Sequence, residues 1–310
     1  MRTLKLLFVI VSTSLFFNAC TSFYQDSFDN FQPSIEEVVS NYDVWYVDIH
    51  RTTGNGDIPF VSRAFTLSFL NGVMYANNNI VNIGRTGNGL GIRVGNYNTY
   101  NGFLETVHTI DGFNDFEVLV RSNNEIQLYN RRQNVTYFLV GYLINNFDYD
   151  KLFYENIEYF LQEYKAWEKI NTTGGTPNAF DTENYLQFTP ENITTFYSSH
   201  DSFGTNIDNV SWDFEGRYQV FDVVGFQNLK ILTLNYGGGD IEEFELTIAN
   251  DSNIRLFHID SNTRYDFKGR GFTQYLKSEK SVKAASETVR NDDRKRTKVN
   301  REIKERRFLK

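Results

Sequence analysis

Alternation of apolar and polar residues recurs along most of the chain. In FEVLVRS, Phe116, Val118 and Val120 fall on one face, and a period of two is the signature of a half-buried strand. SNNEIQLY reads as a turn followed by a strand, and LKILTLNY (229–236), GGGD and FELTI read as a second hairpin. One stretch breaks the rule. In KLFYENIEYFLQEYKAW (151–167), Leu152, Phe153, Ile157, Phe160, Leu161 and Tyr164 recur at intervals of three and four. That stripe predicts a helix packed against the strands that follow it.

The pattern occurs twice. At an offset of 122, Ile35, Glu36, Val39, Tyr42 and Trp45 meet Ile157, Glu158, Leu161, Tyr164 and Trp167. Leu67 and Phe69 fall on Leu186 and Phe188. FEVLVRSNNEIQLYN (116–130) lies over FELTIANDSNIRLFH (244–258), and NVTYFLVG (134–141) over NTRYDFKG (262–269), both at an offset of 128. A repeat of this length is a duplicated domain rather than a solenoid unit. The expected fold is therefore mostly β: two tandem antiparallel β domains, 33–148 and 149–276, each preceded by a short helix. Each Trp should be buried at the base of its own domain. Asp48, His50 and Arg51 alternate with Val47 and Ile49, which places them on the solvent face of the first strand.

The ends read differently. Residues 1–19 have the layout of a secretory signal: Arg2 and Lys5, an apolar run from Leu6 to Phe17, then Ala19 before Cys20. Cys20 is the only cysteine, and its position after the apolar core is that of a bacterial lipoprotein anchor. The chain is thus expected in the cell envelope as an outer-membrane lipoprotein on the periplasmic or surface side. Residues 20–32 would be its tether. Residues 277–310 carry 13 Lys/Arg against 6 Asp/Glu, a net +7, so the total of −8 leaves −15 on the rest. This basic segment reads as a flexible or helical tail, or as an arm for an anionic partner such as lipid head groups or the protein's own acidic body. Nucleic acid is not an expected partner outside the cytoplasm.

The composition supports the β reading: 16% of residues are aromatic, including 28 Phe and 19 Tyr. Strand-rich units of this size, with a Tyr-x-x-Trp opening the first strand, resemble lipocalin-like barrels. The segments YDVWYVDIHRTTGNGDIPFVSRAFTLSFLNGVMY, ENIEYFLQEYKAW and LQFTPENITTFYSS are similar to those of a family of flavobacterial two-domain lipoproteins, often named nicotinic acid mononucleotide adenyltransferase. That name implies nucleotidyl transfer, and the residues do not supply it. In NIGRTGNGLGIRVG (82–95), Gly84 and Gly89 have P-loop spacing, but Leu90 and Gly91 stand where Lys and Ser or Thr are needed. IRVGNY reads as a strand, so no helix N-terminus follows to hold a phosphate. The four histidines, His50, His108, His200 and His258, form no His-x-Gly-His motif. No catalytic residue, metal ligand set or cofactor is expected. The glycine loop is expected to be a flexible hairpin.

The functional expectation is a membrane-anchored lipoprotein with a binding or accessory role toward a small apolar ligand or an envelope protein. Phe65, Phe69, Tyr185 and Phe188 are its candidate ligand-contacting aromatics. The alternatives are the transferase of the family name and a purely structural envelope module.

Overall fold

The computed structural model describes residues 33–77, 86–189, 194–272 and 301–306. Cys20, the expected signal and tether, the start of the glycine loop and most of the basic tail lie outside the described residues. Two closed eight-strand antiparallel barrels follow one another within the compact unit Ile35–Lys310.

The first barrel is preceded by α1 (Ile35–Ser40). Its wall runs β1 (Val44–Val47), β3 (Thr66–Leu70), β4 (Val73–Asn77), β5 (Ile92–Tyr100), β6 (Phe103–His108), β7 (Gly112–Ser122), β8 (Glu125–Asn130) and β9 (Val135–Tyr142). Pairing of β9 with β1 closes the ring, and the short β2 (Thr53–Gly54) adds to β9. α2 (Pro59–Arg63) carries Phe60, whose ring packs edge-on to Phe116 and stacks on His108.

The second barrel repeats the plan. α3 (Tyr149–Glu155) and α4 (Ile157–Leu161) lead into β10 (Tyr164–Thr173), β11 (Tyr185–Phe188), β12 (Thr195–Ser199), β13 (Phe214–Val223), β14 (Phe226–Gly237), β15 (Asp240–Asn250), β16 (Asn253–His258) and β17 (Thr263–Phe272). β17 closes on β10. Between β10 and β11, a 3-10 turn, Ala179–Thr182, carries Phe180 against Phe244 and Tyr265 in the role of Phe60.

The registers confirm the duplication. Trp45 is paired with Leu67 on one side and Gly141 on the other; Trp167 is paired with Leu186 and Gly269. Phe116, Val118, Ile126, Leu128, Tyr137 and Leu139 are buried, as are their counterparts Phe244, Leu246, Ile254, Leu256, Tyr265 and Phe267. Both hairpins expected around SNNE and GGGD form.

Three local expectations need correction. The helical stripe of 151–167 is two helices broken at Asn156, and it stops at Leu161; Tyr164 already belongs to β10. Asp148 caps the first helix by accepting from the Lys151 N–H at 2.8 Å. All six stripe residues are buried all the same, because Tyr164 lies beside Trp167 on the barrel instead of on a helix. Secondly, β1 ends at Val47, and Ile49–Arg51 is a 3-10 turn. There Arg51 clamps Glu125 with two hydrogen bonds of 2.7 and 2.9 Å. Thirdly, the described end of the glycine loop is packed down. Gly89 is buried, its carbonyl accepts from the Tyr149 hydroxyl at 2.9 Å, and a Cβ there would meet Ile144 and Tyr149. The loop thus rests on the junction between barrels, where Phe65 also lies edge-on to Tyr159.

Candidate functional site

The two barrels share their packing positions but differ at one end of the interior. Val47, Ala64, Asn114 and Asn130 in the first barrel correspond to Lys169, Glu183, Glu242 and His258 in the second. The strand registers fix three of these equivalences: Val47 pairs with Leu139 as Lys169 does with Phe267, and Asn114 and Asn130 precede and follow the shared positions as Glu242 and His258 do. Ala64 and Glu183 are the C-terminal caps of α2 and of the Ala179–Thr182 turn. Four ionisable side chains therefore replace four that are not. Burying ionisable groups costs free energy unless each is paired, so packing alone does not account for the change.

Each group is held by a defined contact. Lys169 follows Trp167 by two residues and is 2% exposed; its ammonium donates to the Asp181 carbonyl oxygen at 2.7 Å and sits 5.4 Å from the centre of the Tyr265 ring. Asp181 and Asn178 form a capping box. The Tyr265 hydroxyl donates to the Asp181 carboxylate at 2.6 Å, and the Asn178 amide donates to Tyr265 at 2.8 Å and to Ser261 at 3.0 Å. The Tyr236 hydroxyl donates to Glu183 at 2.6 Å. His258 pairs through Nε2 with the Glu242 carboxylate and lies 2.6 Å from the Ser261 hydroxyl through Nδ1.

Burial governs the protonation of this end. It pushes the Lys169 ammonium down to about 8, against the charges of Asp181 and Glu183. It likewise raises the Glu183 carboxyl, although the Tyr236 hydrogen bond opposes it. Asp181 goes the other way. Burial is its largest single influence and pushes upward, but the bonds from Tyr265 and the Asn178 N–H, with the Lys169 charge, together hold it below the usual carboxylate range. An ammonium offers three donors, and among the described residues the Lys169 Nζ has one hydrogen-bond acceptor. The result is a buried cation with donor capacity to spare at the polar end of an interior otherwise built from aromatic and aliphatic side chains.

The aromatic residues singled out from the sequence do not gather in one place. Phe69 and Phe188 occupy equivalent interior positions of separate barrels, edge-on to Tyr97 and Tyr218. Tyr185 precedes Leu186 and so lies on the outer face of β11, where its hydroxyl reaches Glu168 at 3.1 Å and the Ser202 carbonyl at 3.2 Å. Phe65 precedes β3 and packs with the core of the second barrel. Lys169, Asp181, Glu183 and His258 were missed, although the repeat held the signal. Laying VWYV over AWEK sets Val47 against Lys169. Among the described residues, no group of three or more His, Cys, Asp or Glu is placed to hold a metal ion. No family model and no curated protein matches the chain.

Proposed function

We propose that the chain is an envelope lipoprotein, anchored through Cys20, whose second barrel binds a small amphipathic ligand. One observation carries the reading: Lys169 is buried in an eight-strand barrel with a single hydrogen-bond acceptor among the described residues and the Tyr265 ring 5.4 Å away. Barrels of this size either fill with side chains or hold one small ligand, and ligand sites are mostly apolar with a few fixed polar groups. The ligand's anionic end lies against Lys169 and its apolar body against the rings around Phe180. To admit it, the Phe180 turn swings out. That turn is joined to β10 through Gly174 and Gly175, both with positive φ (72° and 75°), where glycine is unstrained.

The ligand and the anchor are tested separately. Binding of anilinonaphthalene sulfonate, an anionic amphipathic dye, should be saturable and at least tenfold weaker in Lys169→Met. Val47→Ala in the first barrel should leave it unchanged. Equal binding by Lys169→Met would refute the site. Cys20→Ser should move the protein from the membrane fraction to the soluble one and abolish incorporation of a fatty-acid label. Persistent labelling would refute the anchor alone.

A further inference from the structure

The C-terminal segment Arg301–Arg306 is docked on the outer wall of the second barrel. β18 (Ile303–Lys304) runs parallel to the end of β13, with the Asp222 N–H donating to Glu302 at 3.0 Å and the Val224 N–H to Lys304 at 3.2 Å. Its basic side chains are each met by an acid. Arg301 pairs with Glu158, Lys304 with Glu243 at 2.5 Å, and Arg306 with Glu245 through bonds of 2.7 and 2.9 Å. Beneath lies an apolar floor of Phe221, Val223, Leu229 and Ile231, with the Lys304 ammonium 3.9 Å from the Phe221 ring centre.

The first barrel has the inner half of this seat without the segment, since its hairpin turns before any counterpart of Val223 and Leu229. Leu104 pairs with Phe116 as Leu232 pairs with Phe244, and Thr99 pairs with Leu104 as Val220 pairs with Leu232. One step on, the pair Tyr100–Phe103 therefore stands where the second barrel has Phe221–Ile231. The covered pair is 6% and 2% exposed; the bare pair is 64% and 40% exposed. The acids are also in place. Phe103 pairs with Glu117 as Ile231 pairs with Glu245, and Asp115 corresponds to Glu243. Glu36 corresponds to Glu158 and is fixed by the Tyr97 hydroxyl at 2.9 Å. Asp115 is engaged by the exposed Arg132, while Glu117 has no ion-pair partner among the described residues.

We propose that the outer wall around Tyr100, Phe103 and Glu117 is a docking surface for an extended basic segment of a partner protein, chemically like Arg301–Arg306. An exposed aromatic pair beside carboxylates suits the alkyl stems and charged heads of Lys and Arg, through cation–π contact and charge pairing. The same carboxylates repel anionic lipid, which argues against a membrane-resting surface. The β5 edge beyond β4 is shorter than the β13 edge, so side chains rather than added strand pairing carry the contact.

The test uses the full chain, with its own tail seated, and a fluorescently labelled peptide of sequence VNREIKERRFLK (299–310). Anisotropy should show saturable binding that weakens as salt rises. Phe103→Ser and Glu117→Lys should each weaken it at least tenfold without changing the unfolding temperature, and Glu245→Lys should leave it in place. Absence of binding, or binding lost only in Glu245→Lys, overturns the proposal, since the latter means exchange with the tail on the second barrel. Binding of the Cys20→Ser protein to phosphatidylglycerol vesicles that Phe103→Ser abolishes also overturns it, because the surface would then be a lipid contact.

Discussion

The indole nitrogen of Trp167 donates to the carbonyl oxygen of Leu161 at 2.8 Å, and Trp45 makes the same bond to Val39, also six residues upstream and also at 2.8 Å. Each bond satisfies a carbonyl at the end of a short helix and pins that helix across the base of its barrel. Trp167 is fully buried, against Phe160 and Tyr164. Trp167→Ala should cost about 3–5 kcal/mol, the range for large buried aromatics, measured by urea unfolding. A loss below about 1 kcal/mol would show that the base of the barrel does not depend on the indole.

Gly269 faces that tryptophan across the sheet and lies under the Tyr164 ring. A Cβ at Gly269 would come within 2.5 Å of the ring carbons, and Gly141 stands in the same relation to Tyr42. Gly269→Ala should destabilise by about 1–3 kcal/mol, as overpacking does. In the Tyr164→Ala background the same change should cost much less. Additive effects in this cycle of four proteins would contradict the close approach.

Lys169 makes a pH prediction with a definite sign. Its folded pKa is pushed below the unfolded value, to about 8. Between there and the ordinary lysine range, the unfolded chain binds more protons than the folded one. Stability contributed by this group should therefore rise as pH climbs from about 8 to about 10.5, by on the order of 3 kcal/mol. Lys169→Met should flatten that rise in denaturant midpoints measured across the window. An unchanged slope would mean that the ammonium is better solvated than its surroundings imply.

Arg301 is almost wholly buried against Glu158, so removing one partner leaves the other charge to be rehydrated by undocking. Glu158→Gln should free the segment Arg301–Arg306. Brief trypsin treatment should then cleave after Arg301, Lys304 or Arg306 at least tenfold faster than in the wild type, with the barrels intact. Equal cleavage rates would show that Glu243 and Glu245 suffice to hold the tail.

Period-two alternation in segments such as FEVLVRS determined the strands, and the repeated spacing of Tyr, Trp and Gly determined that there are two like barrels. Those features are legible because side-chain direction along a strand depends only on parity, and equal parity in two copies leaves equal marks. The fate of Tyr164 was not legible, since a residue three before Trp167 suits a helix stripe and a strand equally. Pairing with β17 decided it, and that partner lies about a hundred residues away. Nor does parity say what covers a face. Tyr100–Phe103 and Phe221–Ile231 read alike as outward apolar pairs, and one is covered where Val223, Leu229 and the returning tail pack on it. The same holds for Lys169, whose alternation places it inward but whose burial depends on the Phe180 turn closing that end of the barrel. Local pattern fixes direction; enclosure is a property of segments that meet only in the folded chain.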